Sequence, residues 1–268
     1  MINILFLIGG LFILYLGYIR WSRYLSARRL KNFENSPFPE YYEKLLEGFL
    51  PFQTLSSDEK KRFQSKFLYF LADKNFNGVG NLVVTDHMKV FIAAEACLMI
   101  TNISGGIYPG LKNIYIAEDV FIPKDNPVNP HTGLPTHVAR LGEAWKSGPL
   151  VLSWSSIAQG SSVIIHEFSH HLDQQDGVFD GTPNLGKKGN YDKWAEVMGR
   201  EFIQLKKRIE FQRSSDIDNY GATNEAEFFA VVTEYYFTRP KLLKEKHPQI
   251  YEIYEDYFGL NPIRWEKK

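Results

Sequence analysis

The chain has 268 residues, 44% of them hydrophobic and 15% aromatic, which is ample material for the core of one or two domains. Its 31 basic and 31 acidic side chains cancel, so a nucleic-acid-binding role, which needs a basic excess, is set aside. The single cysteine, Cys97, excludes an intramolecular disulfide, and within the apolar run FIAAEACLMI it reads as a small buried residue rather than a nucleophile.

Residues 1–19, MINILFLIGGLFILYLGYI, carry no charged side chain, and Arg20, Arg23, Arg28, Arg29 and Lys31 follow at once. A helix of that length spans about 30 Å, the thickness of a bilayer core, and Trp21 and Tyr24 suit its interface. A transmembrane anchor is therefore expected over 1–20 and a basic juxtamembrane linker over 21–36. The positive-inside rule then puts the rest of the chain in the cytoplasm, as a single-pass protein of the inner or plasma membrane. A cleaved signal peptide is the rival reading. It fits less well, because no Lys or Arg precedes the apolar run and the small-residue site Ser26-Ala27 lies among arginines.

Pro37 and Pro39 precede helical spacing at Tyr42, Leu45, Leu46 and Phe49. Ser56-Ser57-Asp58-Glu59 caps a second helix that buries Phe63, Phe67, Phe70 and Leu71. Residues 78–84 suit a short strand and 86–100 a core helix. Short β runs at 114–116, 120–122, 138–141 and 150–154 surround a Pro-rich loop at 123–135, and together they predict a small, twisted, mostly antiparallel sheet. His131 and His137, in and after that loop, read as solvated.

Val163-Ile164-Ile165-His166-Glu167-Phe168-Ser169-His170-His171-Leu172-Asp173 is an HExxH motif on an amphipathic helix. With a period of about 3.6 residues, His166 and His170 share one face one turn apart, so both imidazoles can reach one metal ion with Glu167 beside them. Zinc takes such nitrogens, and in catalytic sites it keeps three protein ligands and a water. A neighbouring carboxylate can take that water's proton and hand it to a leaving amine. The pattern is short enough to arise by chance on an exposed helix. Here, however, the apolar flank 163–165 with Phe168 and Leu172 marks a central helix, whose buried histidines need a partner. His171 points about 100° away and reads as a surface residue or an outer partner. Asp173, a turn beyond His170, is placed to hold a ligand imidazole by its free ring nitrogen.

A third ligand has two candidates. Asp176 follows the motif where a glycine turn would help, but Asp173 stands at the glycine position. Glu227 lies far downstream, in YGATNEAEFFA, at the start of an apolar helix. Glu227 also suits the carboxylate of a capping box with Asn224 as N-cap. Between them come a Gly/Asp/Pro/Asn-rich loop to Gly189, read as a wall or lid, and a long helix over 191–211 carrying Trp194, Val197, Met198, Phe202 and Leu205. Pro240 and Pro248 break the remainder into two short helices, and the polar tail 261–268 is expected to fray.

The run YGATNEAEFFAVVTEYYF, with HEFSHHLD, GPLVLSW, LPFQTLSSDEKKRFQ and IAAEACL, resembles the Mlc titration factor A family of zinc-dependent peptidases, whose catalytic fold is similar to that of anthrax lethal factor. The resemblance runs from about residue 38 to 260. It implies an α+β, zincin-like domain over 37–260, built on an active-site helix and a glutamate helix. It also implies one Zn2+ per chain on His166, His170 and Glu227, with Glu167 as general base and Tyr220 as donor to the oxyanion. A phenol, with its pKa near about 10, stays protonated at neutral pH and can fill that role. A peptide or protein substrate would then pair along Leu150, Val151, Leu152, Ser153 and Trp154. The family name comes from a member that sequesters a transcriptional repressor, so a regulatory protein that binds a cytoplasmic partner is the alternative.

Overall fold

The computed structural model of the chain describes residues 28–105, 107–119, 150–187 and 189–266, with Asp176 by its backbone alone, and Gly17 in isolation. Residues 28–34 are helical, and Leu30 and Phe33 pack on the core, Phe33 edge-on to Tyr69 with ring centroids 6.0 Å apart. Part of the expected linker is thus a docked helix. Helices α1 (Glu40–Leu45) and α2 (Leu50–Thr54) lead to α3 (Ser57–Asp73), where Ser56 and Glu59 exchange both bonds of a capping box.

Strand β1 (Asn75–Gly78) follows α3 directly. The strand lies upstream of the expected 78–84 because the chain turns sharply at Gly78. A Cβ there would sit 1.9 Å from the Leu82 carbonyl oxygen. Thr85 then caps α4 (Asp86–Met99), a helix buried over most of its surface and packed on α3. The chain after α4 is pinned by two buried lysines, Lys66 of α3 and Lys74 at its C-cap. Lys66 Nζ donates to the carbonyls of Ile100, Thr101 and Ile103, and Lys74 Nζ to those of Ile107, Tyr108 and Leu111.

Strands β2 (Asn113–Ala117) and β3 (Leu150–Ser153) complete a sheet of order β1-β2-β3 in which both pairings are parallel, with Asn75 opposite Asn113 and Ile114 opposite Leu150. This corrects the expected antiparallel sheet. The connection from β1 to β2 runs through α4, and a helical crossover returns the chain in the same direction. The expected run 150–154 also stops one residue early. The Ser153 hydroxyl accepts from Ser156 N and opens α5 (Trp154–Ala158), so Trp154 is helical. The runs 120–122 and 138–141, the loop 123–135, and His131 and His137 lie outside the described residues.

Helix α6 (Val163–Asp173) carries the HExxH motif between α4 and the later helix α8 (Glu225–Thr238), on which α7 (Tyr191–Glu210) also packs. Helices α9 (Pro240–Lys246) and α10 (Pro248–Phe258) close the back of α8, where Trp194 of α7 stacks on Tyr254 at 5.3 Å between centroids. The described part of the tail, residues 261–266, is folded rather than frayed. Asn261 caps a 3-10 turn (Pro262–Trp265), Trp265 is buried, and Arg264 clasps both carboxylate oxygens of Glu59 at 3.0 Å.

Apart from Gly17, the anchor expected over 1–20 lies outside the described residues, and among the described residues no helix is long and apolar enough to cross a membrane. The expected single-pass membrane localisation is corrected accordingly.

Candidate metal centre

Helix α6 buries Ile164, Ile165, Phe168 and Leu172 toward the core, and the helical period turns His166 and His170 together toward α8. Both imidazoles are buried, with their Nε2 atoms 3.2 Å apart. Opposite them, Asn224 opens α8 by accepting from Glu227 N at 2.9 Å, as an N-cap should. The second half of a capping box is not made. The Glu227 carboxylate instead reaches across to α6, its Oε2 lying 3.1 Å from His166 Nε2 and 3.6 Å from His170 Nε2. The cap bond therefore fixes the backbone from which Glu227 is aimed.

Among the described residues, His166, His170 and Glu227 are the group of His, Cys, Asp and Glu side chains spaced to hold a metal ion. The donor set fits one. Ligand atoms about 2.0–2.1 Å from a tetrahedral cation stand about 3.3 Å from each other, which matches the separations between these three side chains. Two imidazole nitrogens and a carboxylate suit zinc and its first-row neighbours. The protonation of the cluster also reflects its crowding. Burial would keep His166 neutral, but hydrogen bonds to Glu227 and Glu234 raise its pKa well above the usual value. Burial opposes ionisation of Glu227 as well, yet its bonds to His166 and His170 hold that carboxyl well below the carboxylate range.

Glu167 stands beside this set. Burial pushes its carboxyl up while His166 and His170 pull it down, with a net rise. Tyr220 comes from the 3-10 turn Asn219–Ala222, where the Asp218 carboxylate accepts from Tyr220 N at 2.8 Å. Its ring centroid is 5.9 Å from that of His166. Burial, then the charges of Glu227 and Glu167, raise its pKa further, so the phenol keeps its proton.

Asp173 does not bond a ligand imidazole. Its Oδ2 accepts from Gly181 N at 3.0 Å, whereas its Oδ1 and His170 Nδ1 are both buried without a partner. Burial raises this carboxyl to about 6. The loop it holds is fitted closely to α8: a Cβ on Gly181 would lie 2.4 Å from the Glu225 carbonyl oxygen, and its φ is +77°. From the same loop, the Phe179 ring reaches His170, with centroids 5.1 Å apart. The Asp176 side chain lies outside the described atoms. His171 packs instead against Tyr108 and Phe168, where burial lowers its pKa to about 4.

Sequence reasoning missed Glu234. Its Oε1 lies 2.6 Å from His166 Nδ1, and it also accepts from the Ser162 hydroxyl. The available signal was its position, seven residues after Glu227 and so about two turns along the same helical face.

A family model described as glucose-regulated metallo-peptidase M90 matches residues 24–259. An uncharacterized protein of Synechocystis sp. is 34% identical over 257 residues, covering 92% of each chain. Mlc titration factor A of Pectobacterium atrosepticum is 26% identical over 221 residues, 78% of this chain and 82% of its own. Mlc titration factor A of Yersinia pestis is 26% identical over 228 residues, 79% of this chain and 83% of its own.

Proposed function

This chain belongs to the glucose-regulated metallo-peptidase M90 family, and from that premise we propose that it is a zinc-dependent peptidase with its peptidase domain over 37–260. The observation that carries the reading is the meeting of His166 Nε2, His170 Nε2 and the Glu227 carboxylate, with Glu167 on the next helical position. When bound, a divalent cation supplies Lewis acidity, polarising a peptide carbonyl and lowering the pKa of a water to about 7.

Two of the chain's residues then act on the reacting atoms. Glu167 takes the proton of the attacking water and returns it to the leaving amine. Tyr220, held protonated, donates its hydroxyl hydrogen to the oxygen on which charge develops. An extended substrate pairs along β3. The reading has support in the sheet order, which makes β3 terminal among the described strands, and in Val151, which is 46% exposed. Trp154 leaves this strand set because it is helical.

The test is hydrolysis of a fluorogenic peptide library by zinc-loaded full-length protein and its Glu167→Gln variant. The expected outcome is cleavage by the wild type and none by the variant, with zinc content equal in both. Full turnover by the variant would remove Glu167 from the mechanism.

A second reading comes from the relatives named Mlc titration factor A. Their name points to a role in titrating a protein, and this chain would then bind a regulatory partner. A partner retained equally by wild type and Glu167→Gln, with no peptide cleaved by either, favours binding over hydrolysis.

A further inference from the structure

Helix α8 sends two carboxylates to one imidazole. Glu227 meets His166 at Nε2 and Glu234 meets it at Nδ1, the latter at 2.6 Å. We infer that Glu234, steadied by Ser162, is a positioning residue that fixes His166 with its proton on Nδ1 and its Nε2 lone pair directed at the metal site.

Ser162 is the N-cap of helix α6, and a serine there ordinarily accepts from a backbone N–H of the first turn. Ser162 makes no such bond, although Ser56, Ser153 and Thr85 do so at their helices. Its hydroxyl donates to Glu234 instead. Local helix stability is thus given up to orient a carboxylate, a conflict of the kind that marks functional positions.

The carboxylate oxygens of Glu234 can only accept hydrogen bonds while ionised. His166 Nδ1 must then be the donor, so the proton a cation displaces is the one on Nε2, and the lone pair left there faces the metal site. A partner on the far nitrogen also stops the ring from turning about its bond to Cβ and makes the near nitrogen more basic. His170 Nδ1, in contrast, is buried without a partner. The two ligand imidazoles are therefore unequal, and His166 is the one held in place before a cation arrives.

The inference rests on the metal-centre reading but not on the peptidase chemistry, and its test needs no turnover. Zinc affinity is measured on full-length wild type, Glu234→Ala, Glu234→Gln and Ser162→Ala by competition with a chelator of known affinity. Loss of an outer partner of a metal-bound histidine costs about 10–100-fold in affinity. Glu234→Ala is expected in that range. Glu234→Gln, whose amide oxygen still accepts from Nδ1, should recover part of the loss, and Ser162→Ala should show a smaller loss.

Imidazole 15N–1H spectra of the zinc-loaded proteins supply a readout that a merely structural role would not move. Wild type should show His166 protonated at Nδ1, with that proton exchanging slowly, and Glu234→Ala should show fast exchange or the opposite tautomer. A Glu234→Ala protein with wild-type zinc affinity and an unchanged His166 signal would overturn the inference. A wild type that binds no zinc would instead overturn the metal-centre reading beneath it.

Discussion

Lys66 and Lys74, in α3 and at its C-cap, and the His166–His170–Glu227 set between α6 and α8 are both buried polar clusters, but their electrostatic logic is opposite. Around the lysines, an ammonium built into the chain meets three carbonyl oxygens in each case, with the Asp73 carboxylate added at Lys74. Every donor there has an acceptor, so the cluster is complete within the protein. Around the histidines, two ring nitrogens and a carboxylate oxygen converge at 3.1 to 3.6 Å, and the proton that His166 holds against Glu227 stands where a metal ion can replace it. The first cluster fastens the segment between α4 and β2, and the second is arranged to bind a cation from outside. Burial alone therefore does not distinguish structure from function; the balance of donors and acceptors does.

The largest expected effects come from breaking either cluster at its centre. With zinc at about 1,000 times its Kd, wild type should gain about 4.1 kcal/mol of stability. In Glu227→Ala that gain should vanish, as read from thermal unfolding with and without zinc. A full zinc-dependent gain in the variant would mean that the third donor lies elsewhere. Lys74→Met should cost about 3 kcal/mol or more, because it leaves buried carbonyls unpaired. The loss would appear in chemical denaturation while the zinc-dependent gain stays intact, since the two clusters share no partner.

Smaller changes sharpen the contrast. Gly181→Ala forces a side chain against the Glu225 carbonyl at a positive φ, and about 1–3 kcal/mol of destabilisation is expected, together with weaker zinc binding. An unchanged zinc affinity would show that the loop does not support the start of α8. The smallest effect concerns pH. Burial would raise the Glu59 carboxyl, but Arg264 and the Ser56 cap hold it at about 2, below its ordinary 4.5. A depressed carboxyl stabilises the fold above its unfolded pKa, and that contribution is lost as pH falls from about 4.5 toward about 2. Wild type and Glu59→Gln should differ by about 1 kcal/mol near neutral pH, a figure discounted for the partly exposed Arg264, and should converge in acid. A difference that persists at low pH would contradict the ionic reading.

The sequence made the local half of this architecture legible. The apolar period of 163–173 identified α6 and the shared face of His166 and His170, and the Asn224 cap identified the start of α8. Periodicity could not choose between Asp176 and Glu227, because the choice depends on how α6 and α8 cross; resemblance pointed to Glu227. Glu234 is 68 residues from His166, and its spacing of seven from Glu227 puts it on the right helical face without naming its partner. The parallel sheet was misread for the same reason, since short β runs look alike whichever way their neighbours run. Lys66 and Lys74 escaped notice in the sequence, because the carbonyls between 100 and 111 that surround them lie more than 30 residues away.

X-ray absorption at the zinc edge, on full-length protein with one equivalent of zinc, tests the central claim most directly. The predicted result is one tightly held ion per chain, with imidazole scattering from His166 and His170 and nitrogen and oxygen donors at about 2.0–2.1 Å. A spectrum without imidazole scattering, or a protein that leaves the zinc in solution, would contradict it.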